Sequence, residues 1–398
     1  PNLEGAIRDQ VQGRILAVGK PGTSAVPREP LPEVPDLTAC RNPKTRDALL
    51  RYYGGDAETE AAVGRALEWL VRHQSMPEGY WSFDHQGPGN RNPSANPGTL
   101  DQAPNAATAL TLLALMGAGH SPRRGEYRRD ITAGLNFLRS RMVPVGPDAG
   151  TLFEPQAGPM PSHALAACAL CEAVAVTSDT QSIRAGQAAV NFIVNTQNAD
   201  GGWADTPPLP NQKPEASNVY ATAWNVQALK TAQWAGLKVP DAKLSEAEGF
   251  FDSVRNADGD GFAVEARTSG ADPTATAAAL LSLMYLGWQP DRPEVIRFAA
   301  AAAERGPAAA GRLYQNLCTA QVLREFGGQP WADFSTAMRR QLLETQADAG
   351  PEKGSWYFDG SGWNHRSGGR LFSTAMAVLI LETDYRHPPL AQQDQAGQ

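Results

Sequence analysis

The chain has 398 residues, 42% of them hydrophobic and 19% charged, which is the composition of a globular protein with a substantial core. A formal net charge of −7 and a pI near 5.5 argue against the basic surface that nucleic acids require. No apolar run approaches the roughly 18 residues of a membrane-spanning helix, so we expect neither a nucleic-acid partner nor an integral membrane segment.

The N-terminal part of the chain differs from the rest. Residues 1–58 are rich in proline and charge, with PREPLPEVPDL at 27–37. This composition predicts an extended N-terminal arm rather than a second domain. Residues 59–390 follow helical patterns, and residues 391–398 are expected to form a disordered tail. Because the chain begins at Pro1, we expect a preceding segment to have been removed, and the compartment is unknown.

Two kinds of predicted helix alternate beyond the arm. One kind is amphipathic, and the other is rich in Ala, Leu and Thr and nearly uncharged. They form six pairs with a period of roughly 45–55 residues, in the range of two-helix repeats. The predicted pairs are 60–73 with 106–116, 130–142 with 163–176, 183–197 with 220–235, 244–255 with 274–286, 294–304 with 314–326, and 334–345 with 371–383.

Repeats of this kind either stack into an open solenoid or close into a ring. The chain has no polar terminal repeat of the kind that caps a solenoid, and six pairs can close with the apolar helices inside. The sequence therefore predicts an all-α fold, an α6/α6 toroid with inner and outer helix rings and an extended N-terminal arm. The open solenoid is the alternative.

A short motif recurs where first helices end. Residues 65–81 read RALEWLVRHQSMPEGYW and residues 187–203 read QAAVNFIVNTQNADGGW. In both, a Gln follows an aromatic residue by five positions, and a glycine-containing turn then ends at a Trp. A third copy ends at GSW near residue 356. The structural residues predicted from this motif are Gln74, Trp81, Gln197, Trp203 and Trp356.

This motif resembles the QW motif of the squalene cyclase and prenyltransferase repeat superfamily of terpenoid cyclase-like α/α toroids. The resemblance implies that the Gln bonds a helix end and that the Trp stacks on the turn. The stretches MPSHALAACALCEA and GGRLFSTAMAVLILE also resemble single-toroid squalene-cyclase-like proteins of planctomycete-type bacteria, a group without an assigned reaction. The resemblance thus implies a fold and a bacterial source more directly than a chemistry.

Class II terpene cyclases of this superfamily protonate an isoprenoid with the middle Asp of a D-x-D-D-T-A motif. The corresponding stretch is GADPTA at 270–275, where Asp272 matches but Gly270 and Pro273 replace the flanking carboxylates. Asp272 is therefore the candidate catalytic acid. Alternatively, Asp272 is an N-cap followed by proline at the first helical position. We expect the cap, with hydrogen bonds from backbone N–H groups near Ala275 and Thr276.

Metal and thioester chemistry are excluded by motif. Prenyltransferase β-subunits bind zinc through an Asp, a Cys two residues later and a distant His, and no Asp-x-Cys occurs here. The Gly-Cys-Gly-Glu-Gln stretch of thioester toroids is also absent. We therefore expect no stoichiometric zinc and no cofactor. Cys168 and Cys171 lie in an apolar helical pattern and are interpreted as buried thiols rather than a redox pair or metal site.

The inner helices should begin at one mouth of the ring, because proline or turn residues precede them. Their N-termini would favour an anionic group there. Aromatic side chains nearby suit an apolar chain or a carbocation, unless they and the Ala, Thr and Leu residues simply fill the core. His163 is a candidate base or ligand, or else a structural His. The candidate ligand-binding residues are His163, Tyr220, Trp224, Tyr285, Tyr314, Asn316, Arg370 and Phe372.

The sequence is compatible with two functions. The first is a terpenoid-cyclase-like toroid that binds an isoprenoid or other lipid in a central cavity, with the degraded motif at Asp272 weakening the case for catalysis. The second is a non-catalytic scaffold that presents loops 82–105 and 143–162 to a protein or glycan partner. An aromatic cavity of several hundred Å³ would favour the first, and a filled core the second.

Overall fold

The computed structural model describes residues 30–392, apart from 86–92, 147, 155, 157, 209–212, 260, 267, 269 and 359–362. Within this part of the chain we number the α-helices in order. They are α1 Leu37–Cys40, α2 Pro43–Tyr53, α3 Ala57–Arg72, α4 Pro104–Gly117, α5 Arg128–Arg141, α6 Pro159–Thr177, α7 Thr180–Asn195, α8 Val219–Trp234, α9 Asp241–Val254, α10 Pro273–Tyr285, α11 Pro293–Arg305, α12 Leu313–Phe326, α13 Gly328–Thr345 and α14 Trp363–Leu381. Helix α14 is interrupted at Gly369, whose φ is 58°.

Helices α3 to α14 form the predicted pairs, with odd-numbered helices outside and even-numbered helices inside. The inner helices contact one another in a closed cycle, from α4 through α6, α8, α10 and α12 to α14 and back to α4. Every residue of α4 after Pro104 is buried, whereas α3 buries one face. Small residues allow the inner helices to pack closely, which buries their apolar surface on all sides. The α/α toroid predicted from the sequence is confirmed.

The motif Trp residues bind the ends of the outer helices. Each indole N–H donates to a backbone carbonyl in the last turns of the outer helix that precedes it. The pairs are Trp81 with Leu70 at 2.7 Å, Trp203 with Ile193 at 2.9 Å and Trp356 with Leu342 at 2.7 Å. All three Trp side chains are fully buried. Each therefore satisfies a carbonyl group that would otherwise lack a partner at the helix end.

The motif Gln residues join neighbouring units. Each Nε2 donates to the carbonyl of a glycine in its own turn and to a carbonyl in the next outer helix. The second acceptors are Asp130 in α5 for Gln74 (2.9 Å), Lys243 in α9 for Gln197 (2.9 Å) and Ala62 in α3 for Gln346 (2.8 Å). The last of these hydrogen bonds joins the sixth unit to the first. The ring is thus closed by the same interaction that joins units within it.

The turn glycine lets the units approach this closely. Gly201 has a φ of +86°, and a Cβ there would lie 2.0 Å from the carbonyl oxygen of Glu246 in the next outer helix. A residue with a side chain is therefore excluded both by the backbone conformation and by the space.

The predicted arm requires one correction. Within the described part of 1–58, residues 37–40 and 43–53 are helical rather than extended. Asp36 accepts a hydrogen bond from the Ala39 N–H (2.7 Å), and Asn42 caps α2 ahead of Pro43. These N-cap signals start helices despite the proline-rich sequence before them. Residues 1–29 and 393–398, including most of the predicted tail, lie outside the described residues.

Both described chain ends meet at the end of the ring where the inner helices terminate. The Gln392 side chain accepts from the Val34 N–H (2.8 Å), and buried Glu172 of α6 pairs with Arg41 (2.9 Å) and Arg386 (2.7 Å). Burial opposes the charge of Glu172, but the two arginines outweigh it and lower its pKa to about 2. Arg386 also pairs with Glu382. We call this the closed end.

One described helix, α6, is long and apolar enough to cross a membrane. Most of its apolar window, 78%, is buried between neighbouring helices of the ring, as in the core helix of a folded domain.

We call the hydrogen bonds of the motif Trp and Gln residues to the outer helices the clamp, and the clamp makes a prediction about stability. Trp203→Ala should lower the free energy of unfolding by about 3–5 kcal/mol, since it leaves a cavity and an unpaired carbonyl. Trp203→Phe is the matched control, because unit four carries Phe262 at this position. It should cost only about 1–2 kcal/mol, the value of the lost indole hydrogen bond. Urea denaturation measures both. Equal stability of Trp203→Ala and the parent would contradict the clamp.

Candidate ligand-binding site

Aromatic side chains of two inner helices meet near the mouth. Tyr220 and Trp224 lie in the first turns of α8, and Tyr314 is the second residue of α12. The rings of Trp224 and Tyr314 stack with centroids 5.2 Å apart and an interplanar angle of 21°, and Tyr220 lies edge-on to Tyr314 at 6.4 Å. Because α8 and α12 flank α10, the stacked pair spans the side of α10 that faces the centre of the ring. All three aromatics are only half-buried.

Asp272 borders this aromatic group. Its Oδ1 accepts hydrogen bonds from the Ala275 N–H (2.8 Å) and from the Tyr220 hydroxyl (2.9 Å). Both groups donate to the same oxygen, as expected when the acceptor is a carboxylate. Burial and then the Asp272 charge raise the pKa of Tyr220, so the phenol keeps its proton. The geometry is that of an N-cap carboxylate with an additional phenol donor.

Two more polar side chains complete the edge of the site. The Thr274 hydroxyl donates to Gln315 Oε1 at 3.4 Å, which links α10 to α12 beside the aromatic group. We define the aromatic recess as Tyr220, Trp224, Asp272, Thr274, Tyr314 and Gln315. Its aromatic faces suit apolar or cationic groups, and its edge offers oxygen acceptors.

Tyr285 does not belong to the recess. It is the last residue of α10, so the helix length places it roughly 18–20 Å from Asp272. Its hydroxyl donates to Gln321, and its ring packs edge-on against Trp234 with centroids 5.4 Å apart. The aromatic pattern could not distinguish the two ends of the helix.

His163 and Asn316 serve the fold instead of a ligand. In each helix pair, one inner-helix side chain accepts the backbone N–H of the residue at the motif Trp position, at 2.9–3.0 Å. The acceptor–donor pairs are Thr108–Trp81, His163–Leu152, Thr222–Trp203, Thr276–Phe262, Asn316–Ala308 and Thr374–Trp356. His163 and Asn316 thus replace the usual Thr in the two units whose motif is most degraded.

The remaining atoms of His163 are also engaged. Its Nε2 donates to the Ala189 carbonyl of α7 at 3.0 Å, and the ring packs edge-on against Phe192. Burial lowers its pKa to about 4, so it is neutral at pH 7. Neither nitrogen is available to a ligand. An alignment of the six inner helices, which places His163 with four threonines, contains the signal for this role.

Arg370 is a structural residue of the rim. Its guanidinium donates to the Ala95 carbonyl (3.0 Å), Ser355 Oγ (3.0 Å) and Asn96 Oδ1 (2.7 Å). It thereby holds the described end of loop 82–105 against the sixth turn, and burial lowers its pKa. Phe372 lies near Phe83, with ring centroids 6.4 Å apart, rather than in the recess.

The chain itself supplies anionic or polar groups at three inner-helix N-termini. Glu154, from loop 143–162, accepts from the Asn105 N–H (2.7 Å) and the Ala106 N–H (3.0 Å) of α4. Asn218 caps α8, and Asp272 caps α10. Burial raises the pKa of Glu154 to about 7 against the two hydrogen bonds. The anion expected at the mouth is therefore partly internal, and the sequence did not single out Glu154.

The lumen is filled toward the closed end. A cavity of about 10 Å³ remains there, lined by residues that include Leu281, Tyr285, Arg324 and His387. This is room for about one water molecule. A larger depression of about 540 Å³ lies on the outer surface beside Val194 and has no aromatic residue in its lining. Among the described residues, neither of these two spaces is a large cavity lined by aromatic side chains.

Metal ligands and reactive thiols are not assembled in the described part of the chain. No group of three His, Cys, Asp or Glu side chains there is placed to hold a metal ion. The four cysteines are buried and unbridged. Burial raises the pKa of Cys40 to about 11, and it raises the pKa of Cys168, Cys171 and Cys318 as well.

Comparison with known proteins agrees with the ring architecture. Residues 48–242 match the family model of the squalene-hopene cyclase C-terminal domain. No curated protein is similar enough to count as a match. The closed double ring of helices and this family match define a terpenoid cyclase-like α/α toroid. Residues 48–242 are thus similar to this cyclase family, and the described part of the chain shares the toroid fold of a type II terpene cyclase.

Solved structures with this fold differ widely in activity. One is a variant of the type II terpene cyclase MstE from Scytonema in complex with geranylgeranyl dihydroxybenzoate, with a TM-score of 0.53 and 14% identity over 82% of this chain and 97% of that chain. Another is an inactive variant of the α-1,6-mannanase GH76A of Salegentibacter sp. HEL1_6 in complex with α-1,6-mannotriose, with a TM-score of 0.56 and 11% identity over 82% and 99%. At these identities the similarity establishes the fold alone.

Burial of His163 predicts how the free energy of unfolding depends on pH. Its pKa is about 4 in the folded protein against 6.5 for a free imidazole, so its contribution is full above pH 6.5 and is lost as pH falls toward 4. Between pH 7.5 and pH 5 this should remove about 2 kcal/mol of stability. His163→Thr, the residue used by four other units, should be less stable at pH 7.5 but should lose about 2 kcal/mol less on acidification. Urea denaturation at the two pH values measures this, and identical pH dependence would contradict it.

Proposed function

We propose that this toroid binds an apolar ligand of the isoprenoid or a related lipid class in the aromatic recess, and that it does not cyclise that ligand. The observation that carries the proposal is the stacked pair of Trp224 and Tyr314, half-buried and facing the centre of the ring. A buried aromatic core would not leave these faces accessible, whereas an apolar chain would cover them and gain the burial free energy.

The family relationship supports this class of ligand. Residues 48–242 match a cyclase family, and the terpene cyclase MstE was solved with a prenylated substrate. In this chain the filled closed end leaves less of the lumen for a ligand than a deep cavity would. We therefore place the ligand at the mouth, on the side of α8, α10 and α12.

Proton donation by Asp272 is disfavoured by its surroundings. A general acid for an alkene must carry a proton, usually because burial and a neighbouring carboxyl keep it neutral. Asp272 is partly exposed, accepts two hydrogen bonds on Oδ1, and has Gly270 and Pro273 where that motif places carboxyls. We propose that it acts as a cap and as a binding group.

The test measures binding and product separately. Squalene should quench tryptophan fluorescence of the parent protein, and Trp224→Ala should weaken binding about tenfold, equivalent to about 1.4 kcal/mol. Trp234→Phe is the matched control, since it lies on the same helix, is also half-buried, and contacts Tyr285 at the closed end. It should leave the affinity unchanged.

Three results would contradict the proposal. If neither squalene nor long-chain alcohols bind to the protein, the non-catalytic scaffold is favoured. A cyclised product found by mass spectrometry, and lost in Asp272→Asn, would establish a cyclase. An unchanged affinity in Trp224→Ala would place the ligand outside the recess.

A further inference from the structure

The recess contains a hydrogen-bond acceptor that none of the described residues uses. Asp272 Oδ1 carries both of its hydrogen bonds, from Ala275 and Tyr220, and Oδ2 accepts none among the described residues. The carboxylate is fixed in place by these two donors, so Oδ2 is held at the border of the aromatic surface. A fixed, partly exposed acceptor beside an apolar face distinguishes ligands by their polar end.

From this juxtaposition we infer that the ligand is a long-chain alcohol, bound with its apolar chain on Trp224 and Tyr314 and its hydroxyl donating to Asp272 Oδ2. This rests on the proposed function and adds the chemistry of the ligand's polar end. The hydroxyl would form a charge-assisted hydrogen bond, which is stronger than one between neutral groups.

A bare hydrocarbon fits this site less well. An apolar chain lying across the recess would remove water from Asp272 Oδ2 and give it no partner. A charged acceptor that loses hydration without compensation costs more free energy than a neutral one. The neutral Gln315 amide in the recess would lose hydration as well, although its Oε1 keeps the hydrogen bond from Thr274.

A diphosphate fits least well. Its charge would lie close to the Asp272 carboxylate, where like charges repel. The positive N-terminal ends of α4 and α10 are already matched by Glu154 and Asp272. Arg312, whose charge acts on Tyr220, is exposed, so solvent and salt screen its attraction for an anion.

The experiment uses three ligands with the same fifteen-carbon chain: farnesol, farnesyl diphosphate and farnesene. Titration calorimetry of the full chain should give the tightest binding for farnesol, by about tenfold over farnesene and more over the diphosphate. Asp272→Asn keeps a side-chain oxygen for the Ala275 N–H, so the cap is retained. This variant should lose about five- to tenfold for farnesol, change little for farnesene, and gain affinity for the diphosphate.

The opposite effects of Asp272→Asn on farnesol affinity and on diphosphate affinity distinguish the possible outcomes. If farnesol and farnesene bind equally, or if Asp272→Asn leaves the preference for farnesol intact, the alcohol inference fails while the apolar recess stands. If the diphosphate binds best and Arg312→Ala abolishes that binding, the ligand is anionic and the inference is wrong. If none of the three binds and Trp224→Ala has no effect with any of them, the proposed function itself fails. Unchanged farnesene affinity in Asp272→Asn also shows that the variant is folded.

Discussion

The fold depends on how the ends of the outer helices satisfy their backbone carbonyls inside a protein. A carbonyl buried there without a donor costs free energy, and each intact motif supplies an indole N–H from its Trp. The side-chain amide of the motif Gln likewise donates to a backbone carbonyl of the next outer helix. Because Gln346 reaches Ala62 of the first outer helix, the last unit has a defined partner and the repeat closes instead of extending. A two-helix repeat with this clamp therefore specifies a ring.

Ring closure determines how the two ends of the central lumen differ. The inner helices run parallel, so their N-termini share one mouth and their C-termini share the other end. At the closed end, Glu172 is fully buried with Arg41 and Arg386, and removal of either arginine would leave uncompensated charge in the core. These ion pairs join α6 to both described chain ends. The cavity at this end is consequently small, and the half-buried aromatic side chains of the recess lie toward the other end.

Much of this architecture was predictable from local sequence. Helix period, the alternation of amphipathic and apolar helices, and the repeated Gln and Trp predict the first five pairs to within about four residues. The helices of the sixth pair, α13 and α14, begin six and eight residues earlier than predicted. The helices at 37–53 were missed because the proline-rich composition around them outweighed the Asp36 and Asn42 cap signals. N-capping is a local property, so Asp36 and Asn42 carry a sequence signal for these two helices.

The site was only partly predictable, for physical reasons. Tyr220, Trp224 and Tyr314 do lie together, but Tyr285 is at the opposite end of α10, because a helical pattern gives the face and not the depth. The sequence suggests a role as a base or ligand for His163, because a lone His is rare in an apolar helix. Its structural role depends on a tertiary contact, in which its Nδ1 accepts the Leu152 N–H in the position held by Thr in four other units.

The cooperative clamp is tested most directly by hydrogen exchange of the indole N–H groups, followed by NMR under native conditions. The account predicts that the indoles of Trp81, Trp203 and Trp356 exchange only through global unfolding, with one common free energy. The indole of half-buried Trp224 should exchange much faster. If the three motif indoles instead exchanged with separate free energies well below that of global unfolding, each unit would open independently. The clamp could not then be what holds the ring closed.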